Sequence, residues 1–268
     1  MKRFPLLVLL LCLAQSMQAQ LYQPGEVLDY KISYRAKLFP NTVVGTVRIA
    51  TTLEQDAEIG REVYRVEGVG RTLPSFRWVM NILDRYETRV DRRTLRPLRF
   101  ESDIREGNYR FRSTYRYDWE AMRVHTTWRN RRMERDTCKT MPLGEASMDP
   151  VSLYFRLRGV DPATLEEGRT EILEMVLEDT VRHLRLRFLG REVKKIRRAG
   201  TFRTLVFACQ IGSSEGYSFT DGSEFRVWIS DDRNLVPLYV ESPIRVGSVQ
   251  AVISAWQGLK YPLTSKIK

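Results

Sequence analysis

The sequence predicts an all-β protein with short connector helices: a large curved antiparallel sheet, or an open barrel or sandwich, built from two similar halves. Three observations support this prediction. Apolar and polar residues alternate in segment after segment, turn residues separate these segments, and one twelve-residue pattern occurs twice. Alternation with a period of two places apolar side chains on one face of a strand, which is typical of half-buried antiparallel strands.

The alternation is clearest in four segments. Aromatic and branched apolar residues occupy one face of each segment, and mainly arginine occupies the other. The segments are residues 30–34, 109–117, 184–188 and 225–229. We therefore expect much of the positive charge to lie on the solvated face of the sheet.

A break in the alternation predicts a helix. Asp149 is a suitable N-cap, Pro150 suits the first helical position, and Gly159 can end the helix. The same arrangement follows at once, where Asp161 opens and Gly168 closes a second helical turn. Together these segments predict a helical connector between two β-rich halves.

The predicted parts of the chain follow from this connector and from an N-terminal signal. They are a signal peptide at 1–19, a first β-rich half at 20–144, a helical connector at 145–168 and a second β-rich half at 169–268. We expect residues 20–268 to form one structural unit.

The two halves resemble each other in sequence. Residues 91–102 and 231–242 are identical at seven of twelve positions, and residues 60–63 match 190–193. Self-similarity of this kind indicates an internal duplication.

Each copy of the longer pattern predicts a β-hairpin. A strand ends at Asp91 or Asp231, a polar turn follows, and Pro97 or Pro237 enters the next strand, where loss of an N–H donor can be tolerated. We interpret these Asp and Pro residues as structural residues of the turn and not as ligand contacts.

The N-terminus has the pattern of a secretory signal. Lys2 and Arg3 precede an apolar run at residues 6–14, and small and polar residues end at Ala19. Removing residues 1–19 lowers the formal charge from +11 to +9, because only Lys2 and Arg3 are lost. We expect a periplasmic or secreted bacterial protein without a transmembrane helix in the mature chain.

Export changes the expected partners of this basic chain. Nucleic acid is no longer an expected partner. The candidates become the lipids, lipoproteins and anionic glycans of the envelope, and peripheral contact with the membrane is also possible. The densest positive cluster consists of Arg129, Arg131, Arg132 and Arg135. It is interpreted either as a solvated hairpin tip or as an anion-contacting cluster.

Two cysteines remain after removal of the signal. Cys138 and Cys209 permit one disulfide in an oxidising compartment. The alternative is a buried free thiol at Cys209, which lies in an apolar run.

The sequence provides few groups for catalysis. His125 and His183 lack metal-ligand spacing, and neither a serine nucleophile elbow nor a phosphate-binding glycine loop is present. We therefore predict no metal, no cofactor and no catalytic residue, and favour a protein that is not an enzyme. A pair of carboxylates, as in glycoside hydrolases, stays open, with Asp231 and Asp232 or Glu26 and Asp29 as adjacent candidates.

Short motifs along the mature chain resemble the DUF3108 family of exported bacterial proteins. They lie at residues 24–30, 45–47, 84–86, 149–158, 227–232 and 247–249. The family-like positions, interpreted as structural, are Gly25, Glu26, Tyr30, Asp84, Pro97, Asp149, Trp228, Asp231, Pro237 and Gly247.

The resemblance implies a β-rich, YmcC-like fold in the bacterial envelope, and it implies no catalytic residues. The repeated turn is also similar to hairpin turns of LolA-type periplasmic lipoprotein carriers, whose curved sheets hold acyl chains. Both statements are expectations from resemblance.

Three classes of function follow. The leading hypothesis is non-enzymatic binding of an apolar or amphipathic ligand or an envelope partner, in which any cleft would be rimmed by arginine. The alternatives are a carbohydrate-active hydrolase that uses two carboxylates, and a structural module for protein–protein interaction.

Overall fold

A computed structural model describes residues 23–36, 39–211, 224–244 and 247–268 of the chain. The predicted signal peptide lies outside these residues, so it stays a prediction. Within the described ranges, fifteen strands form one continuous sheet. The strands are β1 (Glu26–Ala36), β2 (Phe39–Asp56), β3 (Arg61–Thr72), β4 (Leu83–Asp91), β5 (Pro97–Glu106), β6 (Tyr109–Asp118), β7 (Arg123–Asn130), β8 (Thr137–Pro142), β9 (Ser147–Met148), β10 (Thr170–Val176), β11 (Val181–Ile196), β12 (Gly200–Ile211), β13 (Glu224–Ser230), β14 (Pro237–Pro243) and β15 (Ser248–Gln257).

The sheet consists of two meanders that meet in its centre. Strands β1 to β8 follow one another outward on one side, and β15 back to β9 follow one another on the other. β1 and β15 join the meanders as an antiparallel pair, in which Tyr30 lies opposite Ile253. The other neighbouring strands are also antiparallel, except β9 and β10, which are parallel. The predicted all-β class and the large curved antiparallel sheet are confirmed.

The connections between strands alternate between two ends of this sheet. Because neighbouring strands are antiparallel, the connections after β3, β5 and β7 share one end, which we call the loop end. The turns after β4, β11 and β13 lie at the other, which we call the hairpin end. This division separates two surfaces of different chemistry.

The outer strands of the two meanders approach each other because the sheet is strongly curved. The Thr126 hydroxyl on β7 donates to the carbonyl of Glu178 at 2.6 Å. The Lys139 ammonium on β8 donates to the carbonyl of Asp179, also at 2.6 Å. Both carbonyls belong to the β10–β11 turn, and Val176 from β10 is buried among side chains of β5 to β8. Side-chain bonds and packing therefore connect the two margins.

One short helix, α1 (Ser152–Arg158), lies against the inner face of the sheet. The helix begins two residues later than predicted, with Val151 instead of Asp149 at the N-cap position, but one Asp149 carboxylate oxygen still accepts the backbone N–H groups of Val151 at 2.9 Å and Ser152 at 2.8 Å. The predicted second helical turn is a single 3-10 turn, Pro162–Thr164, which Asp161 caps.

The interior of the curved sheet is filled with apolar side chains in three clusters. Helix α1 contributes to them: Tyr154 and Phe155 belong to the first cluster and Leu157 to the second. Val151, just before the helix, packs against the first and the third. The apolar strand faces thus pack against one another and around α1.

The twelve-residue repeat forms two similar hairpins at the hairpin end. Leu95 and Leu235 occupy matching positions in these turns, and both have left-handed backbones, with φ of 57° and 50°. Non-glycine residues adopt this region infrequently, so the shared conformation is informative. It supports the predicted turn role of the repeat.

The second of these turns is one residue longer than the first. Val90 pairs with Pro97, whereas Ile229 pairs with Pro237. As a result β13 ends at Ser230 instead of the predicted Asp231, and Asp232 accepts a backbone N–H inside the turn, at 2.9 Å from Asn234.

The shorter repeated motif lies in two different settings. Gly60 is in the turn between β2 and β3, whereas Gly190 lies within β11 at a β-bulge. This part of the sequence match therefore has no common structure, and the internal duplication stays a prediction.

No helix in the described ranges has both the length and the apolar character needed to cross a bilayer.

Candidate functional site

An open groove lies at the hairpin end, between the β11–β12 turn and the segment 266–268. Its volume is about 940 Å³, and the residues that line it are Val193, Lys195, Ile196, Arg197, Arg198, Gly200, Thr201, Ile267 and Lys268. We call it the hairpin groove.

The wall of the groove depends on a glycine. Thr201 exchanges backbone hydrogen bonds with the last segment, donating to the Lys268 carbonyl and accepting from the Ile267 N–H, both at 2.8 Å. A Cβ at Gly200 would lie only 2.4 Å from that Lys268 carbonyl oxygen. Glycine at this position therefore allows the last segment to lie against the start of β12.

The groove combines apolar surface with positive charge. Val193 is 61% exposed and Ile267 is 45% exposed, which is unusual for side chains of this type in this protein. The charged side chains that line the groove are all positive: Lys195, Arg197, Arg198 and Lys268. Among the residues that the structure describes, these four side chains form no ion pair.

The turn that carries the two arginines has a strained backbone. Arg198 has a φ of 68°, in the left-handed region that favours glycine and asparagine. Holding a non-glycine residue there costs on the order of 1 kcal/mol. Arg198 therefore lies at the groove in a backbone conformation that lowers the stability of the fold slightly.

Strand β11, which carries Val193, is contacted by Trp228 of β13, one of the family-like residues. Its ring N–H donates to the Glu192 carboxylate at 2.5 Å, and the Lys194 ammonium lies 3.8 Å from its ring centroid. Glu192 is also 3.7 Å from Lys194. These contacts engage the acidic residue next to Val193, which leaves the groove itself cationic.

A buried polar cluster anchors α1 to the centre of the sheet. The Arg158 guanidinium, 1% exposed, pairs with the Glu26 carboxylate through both of its terminal nitrogens and donates to the Asn234 carbonyl at 3.0 Å. The Tyr154 hydroxyl also donates to Glu26. Tyr30 lies beside the cluster and donates to the Pro237 carbonyl at 2.8 Å, and burial raises the pKa of its hydroxyl.

A second buried carboxyl group holds the other end of α1. The remaining oxygen of Asp149 accepts the hydroxyls of Ser152 at 2.6 Å and Thr88 at 2.8 Å. Burial raises the pKa of Asp149, although these hydrogen bonds oppose that shift. Glu26, Tyr30 and Asp149 thus have structural contacts.

The other family-like positions also lie in turns and strand starts. Gly25 and Gly247 have positive φ angles of 89° and 91°. The Pro97 carbonyl, at the start of β5, accepts the ring N–H of Trp119 at 2.7 Å. Asp231 lies 3.6 Å from Arg191. None of the ten family-like residues lines the hairpin groove.

The predicted arginine cluster lies at the loop end, on and beside the β7–β8 turn. Arg129 donates to the Glu134 carbonyl at 3.1 Å and is 3.9 Å from the Asp136 carboxylate. Arg131 donates to the Asn108 carbonyl at 3.5 Å. Arg132 and Arg135 are exposed, as the predicted hairpin tip requires.

Of the two alternatives that the sequence left open for the cysteines, the structure has the free thiols. Cys138 and Cys209 are both free thiols. Cys138 is exposed on the outer strand β8, whereas Cys209 is buried in the second apolar cluster on β12. Burial raises the pKa of the Cys209 thiol to about 12, so it behaves as a core residue.

The carboxylates considered for hydrolysis have other contacts. Asp29 forms an exposed pair with Arg48 at 3.0 Å, Glu26 pairs with Arg158, and Asp232 accepts bonds within its turn. Among the described residues, no group of three His, Cys, Asp or Glu side chains is placed to hold a metal ion.

Sequence reasoning missed one carboxyl pair, Asp84 and Glu106. The two side chains share a hydrogen bond, and burial followed by their mutual repulsion raises the pKa of Glu106. Burial also raises the pKa of Asp84. Retaining glycosidases separate their carboxyl groups by about 5 Å and inverting enzymes by more, so a pair in direct contact does not fit either geometry.

The hairpin groove was also missed. Val193 and Ile267 come from distant parts of the sequence, and only the pairing of residues 266–268 with β12 brings them together. The signal that could have indicated the site is the run of cations at residues 194–198, which interrupts an otherwise alternating strand.

Comparison with solved structures shows the fold. A β-barrel-like DUF1849 protein from Brucella abortus aligns with a TM-score of 0.54 and 10% identity, covering 88% of this chain and 98% of the other. A protein from Parabacteroides distasonis that is described as a putative lipoprotein aligns with a TM-score of 0.37 and 13% identity, covering 87% of this chain and 95% of the other. The Mycobacterium tuberculosis lipoprotein LppX aligns with a TM-score of 0.25 and 15% identity, covering 93% of this chain and 94% of the other.

Comparison at the sequence level identifies the family. No protein of curated function matches this sequence. The family model described as "Protein of unknown function (DUF3108)" matches residues 29–254, which include all fifteen strands in full or in large part and all of α1. The chain therefore belongs to the DUF3108 family.

Proposed function

We propose that this protein is a non-enzymatic component of the bacterial envelope that binds an amphipathic anion in the hairpin groove. One observation carries the proposal: apolar side chains lie exposed in a groove whose charged side chains are all positive and form no ion pair among the described residues.

The lining fits a molecule with an apolar chain and an anionic group. Val193 and Ile267 provide apolar contact, and Ile196 is buried beneath them. Arg197 and Arg198 provide planar donors that suit carboxylate or phosphate oxygens. The groove has a volume of about 940 Å³ and is open to solvent.

The interior of the sheet is a less suitable place for such a ligand. Its three apolar clusters are packed around α1, and a buried ion pair and a buried carboxyl group hold that helix at its two ends. Binding in the interior would require separation of these contacts, whereas the groove is already open.

Titration with a soluble single-chain amphipath tests the proposal. Lauroyl lysophosphatidylglycerol, kept below its micellar concentration, is added to the mature chain, and binding is measured by calorimetry. We expect saturable binding of the anionic lipid and at least about tenfold weaker binding of lauroyl lysophosphatidylcholine, a difference of about 1.4 kcal/mol.

Two variants locate the binding site. Arg197→Gln combined with Arg198→Gln is expected to weaken binding about tenfold or more, because each removes a charge-assisted donor. The matched control, Lys31→Gln with Arg185→Gln, removes two exposed positive charges elsewhere and is expected to bind as the unmodified protein does. Equal binding by both variants would contradict the proposal.

A further inference from the structure

The loop end carries the largest concentration of exposed apolar side chains in the described chain. Trp78 is 85% exposed, Val79 64% and Met80 53%, and all three belong to the connection between β3 and β4. Leu83, at the start of β4, and Tyr109, at the start of β6, are also exposed. Contiguous apolar surface of this kind marks a contact site with another molecule or a membrane.

The connection that presents these side chains, residues 73–82, has its own internal structure. It begins with a 3-10 turn, Pro74–Phe76, and the N–H groups of Val79 and Met80 donate to the Phe76 carbonyl at 3.0 and 3.2 Å. The ring N–H of Trp78 donates to the Ser75 carbonyl at 3.0 Å. The apolar side chains are thus held outward by backbone bonds within the loop.

A chain of backbone contacts links this loop to the arginine cluster. The Gly107 N–H, in the β5–β6 turn, donates to the Asn81 carbonyl at 2.8 Å. In the next connection along the sheet, the Arg131 N–H donates to the Arg110 carbonyl at 3.1 Å. The three connections therefore form one continuous surface, with apolar residues at one side and arginines at the other.

Most of the positive charge on this surface has no acidic partner. Among the described residues, Arg77, Arg131, Arg132 and Arg135 form no ion pair, and Arg110 donates to the carbonyls of Gly107 and Tyr109, both at 2.7 Å. The acidic residues near this surface include Asp84, Glu106, Glu134 and Asp136, together with Glu178 and Asp179 of the β10–β11 turn. Of these, Asp84 and Glu106 share a hydrogen bond with each other at the base of the loop.

From these observations we infer that the loop end docks on an anionic lipid bilayer, with Trp78, Val79 and Met80 inserted into the interface and Arg131, Arg132 and Arg135 placed at the level of the phosphate groups. Tryptophan and tyrosine favour the headgroup region of a bilayer because their rings are amphipathic. Basic residues near an anionic surface add attraction, which depends on ionic strength.

A bilayer fits this surface better than a protein does. Three consecutive exposed apolar side chains on one loop can enter a fluid interface, whereas a stable protein interface buries a broad patch of about 800 Å² on each partner. Docking at the loop end would also leave the hairpin groove at the opposite end of the strands accessible. The inference does not depend on the groove, since different residues carry it.

Vesicle flotation of the mature chain tests the inference. Vesicles of phosphatidylglycerol and phosphatidylethanolamine are compared with vesicles of phosphatidylcholine. We expect binding to the anionic vesicles that falls as salt is raised, and a blue shift of tryptophan emission that Trp78→Phe reduces. Trp78→Ser is expected to weaken partitioning about 10- to 100-fold, the equivalent of burying one large apolar side chain.

Charge variants complete the test. Replacing Arg131, Arg132 and Arg135 with glutamine is expected to weaken binding by about fivefold for each arginine removed. Two controls keep the loop end unchanged: Ile172→Ser removes an exposed apolar residue of β10, and Lys31→Gln with Arg123→Gln and Arg185→Gln removes three exposed charges.

Both controls are expected to bind vesicles as the unmodified protein does. The inference is overturned if anionic vesicles are not bound, or if the loop-end variants bind as well as the controls. Capture of an envelope protein that depends on Trp78, without vesicle binding, would also overturn it in favour of a protein partner. Because soluble lysophosphatidylglycerol binding is measured separately, failure of docking and failure of the groove are distinguishable.

Discussion

The Glu26–Arg158 pair is the most strongly buried charge interaction of the described chain. Both side chains are almost fully inaccessible, at 2% and 1% exposure. A buried ion pair adds little net stability compared with apolar residues, because both charges must leave water. Removal of one partner is much more damaging, since the other charge is then buried alone.

Substitution at these two positions should show this asymmetry. Glu26→Gln is expected to lower the free energy of unfolding by about 3–5 kcal/mol, whereas Glu26→Leu with Arg158→Met should recover most of that loss. Urea unfolding measures both. The control is Asp29→Asn, which breaks an exposed pair with Arg48 and should cost less than about 1 kcal/mol. Equal losses for the single and double variants would contradict this explanation.

Local residue roles could be predicted from the sequence, and distant partnerships could not. That Asp149 binds the backbone where the helix starts could be predicted from its position next to Pro150, and its carboxylate accepts the N–H groups of Val151 and Ser152. Glu26 was recognisable as a family-like position, but its partner lies 132 residues away. A sequence pattern contains no information about which of many arginines the curved sheet brings to that carboxylate.

At the scale of the elements, the two cysteines distinguish an exposed strand, β8, from a buried one, β12. Its Cys138 is exposed, whereas Cys209 on β12 is buried and burial raises the pKa of its thiol to about 12. The thiolate is the reactive form, so the two thiols should differ widely in rate.

Thiol titration of the mature chain with an aromatic disulfide reagent checks this difference. We expect one thiol to react quickly in the folded protein and the second only after denaturant is added. Cys138→Ser should abolish the fast reaction, and Cys209→Ser should leave it unchanged. If no thiol reacts before reduction, the cysteines are bonded and the assignment of free thiols is incorrect.

Strands were the easiest elements to predict, because alternation reports one buried and one solvated face. The pattern identified β6, β11 and β13 by their apolar and arginine faces, which lie in the structure at Tyr109–Asp118, Val181–Ile196 and Glu224–Ser230. The exposed loop at 73–82 was not identified. Its apolar run has the composition of a buried segment, yet within the described ranges Trp78, Val79 and Met80 stay exposed.

At the scale of the whole molecule, the two halves share one sheet. The β1–β15 pair joins the meanders along nine register positions, and the first apolar cluster contains residues of both halves together with α1. Such continuity predicts one cooperative unit.

Unfolding experiments can distinguish one unit from two. We expect far-ultraviolet circular dichroism and tryptophan fluorescence to give coincident urea transitions with a single midpoint. Two separated transitions would indicate that residues 20–144 and 169–268 unfold independently, as two fused domains would. Tyr30→Phe removes a hydrogen bond between β1 and the Pro237 carbonyl. It should lower the free energy of unfolding by about 1 kcal/mol without splitting the transition.

The central pairing of β1 with β15 also has a consequence for the order of assembly. β1 is made early in synthesis, yet one of its two neighbours is β15, more than two hundred positions later, as the 225-residue separation of Asp29 and Ser254 illustrates. Contacts so distant in sequence slow folding and leave strand edges unpaired for longer. The sheet therefore cannot close at its centre until nearly the whole chain has emerged, and during that interval β1 depends on protection from pairing with other chains.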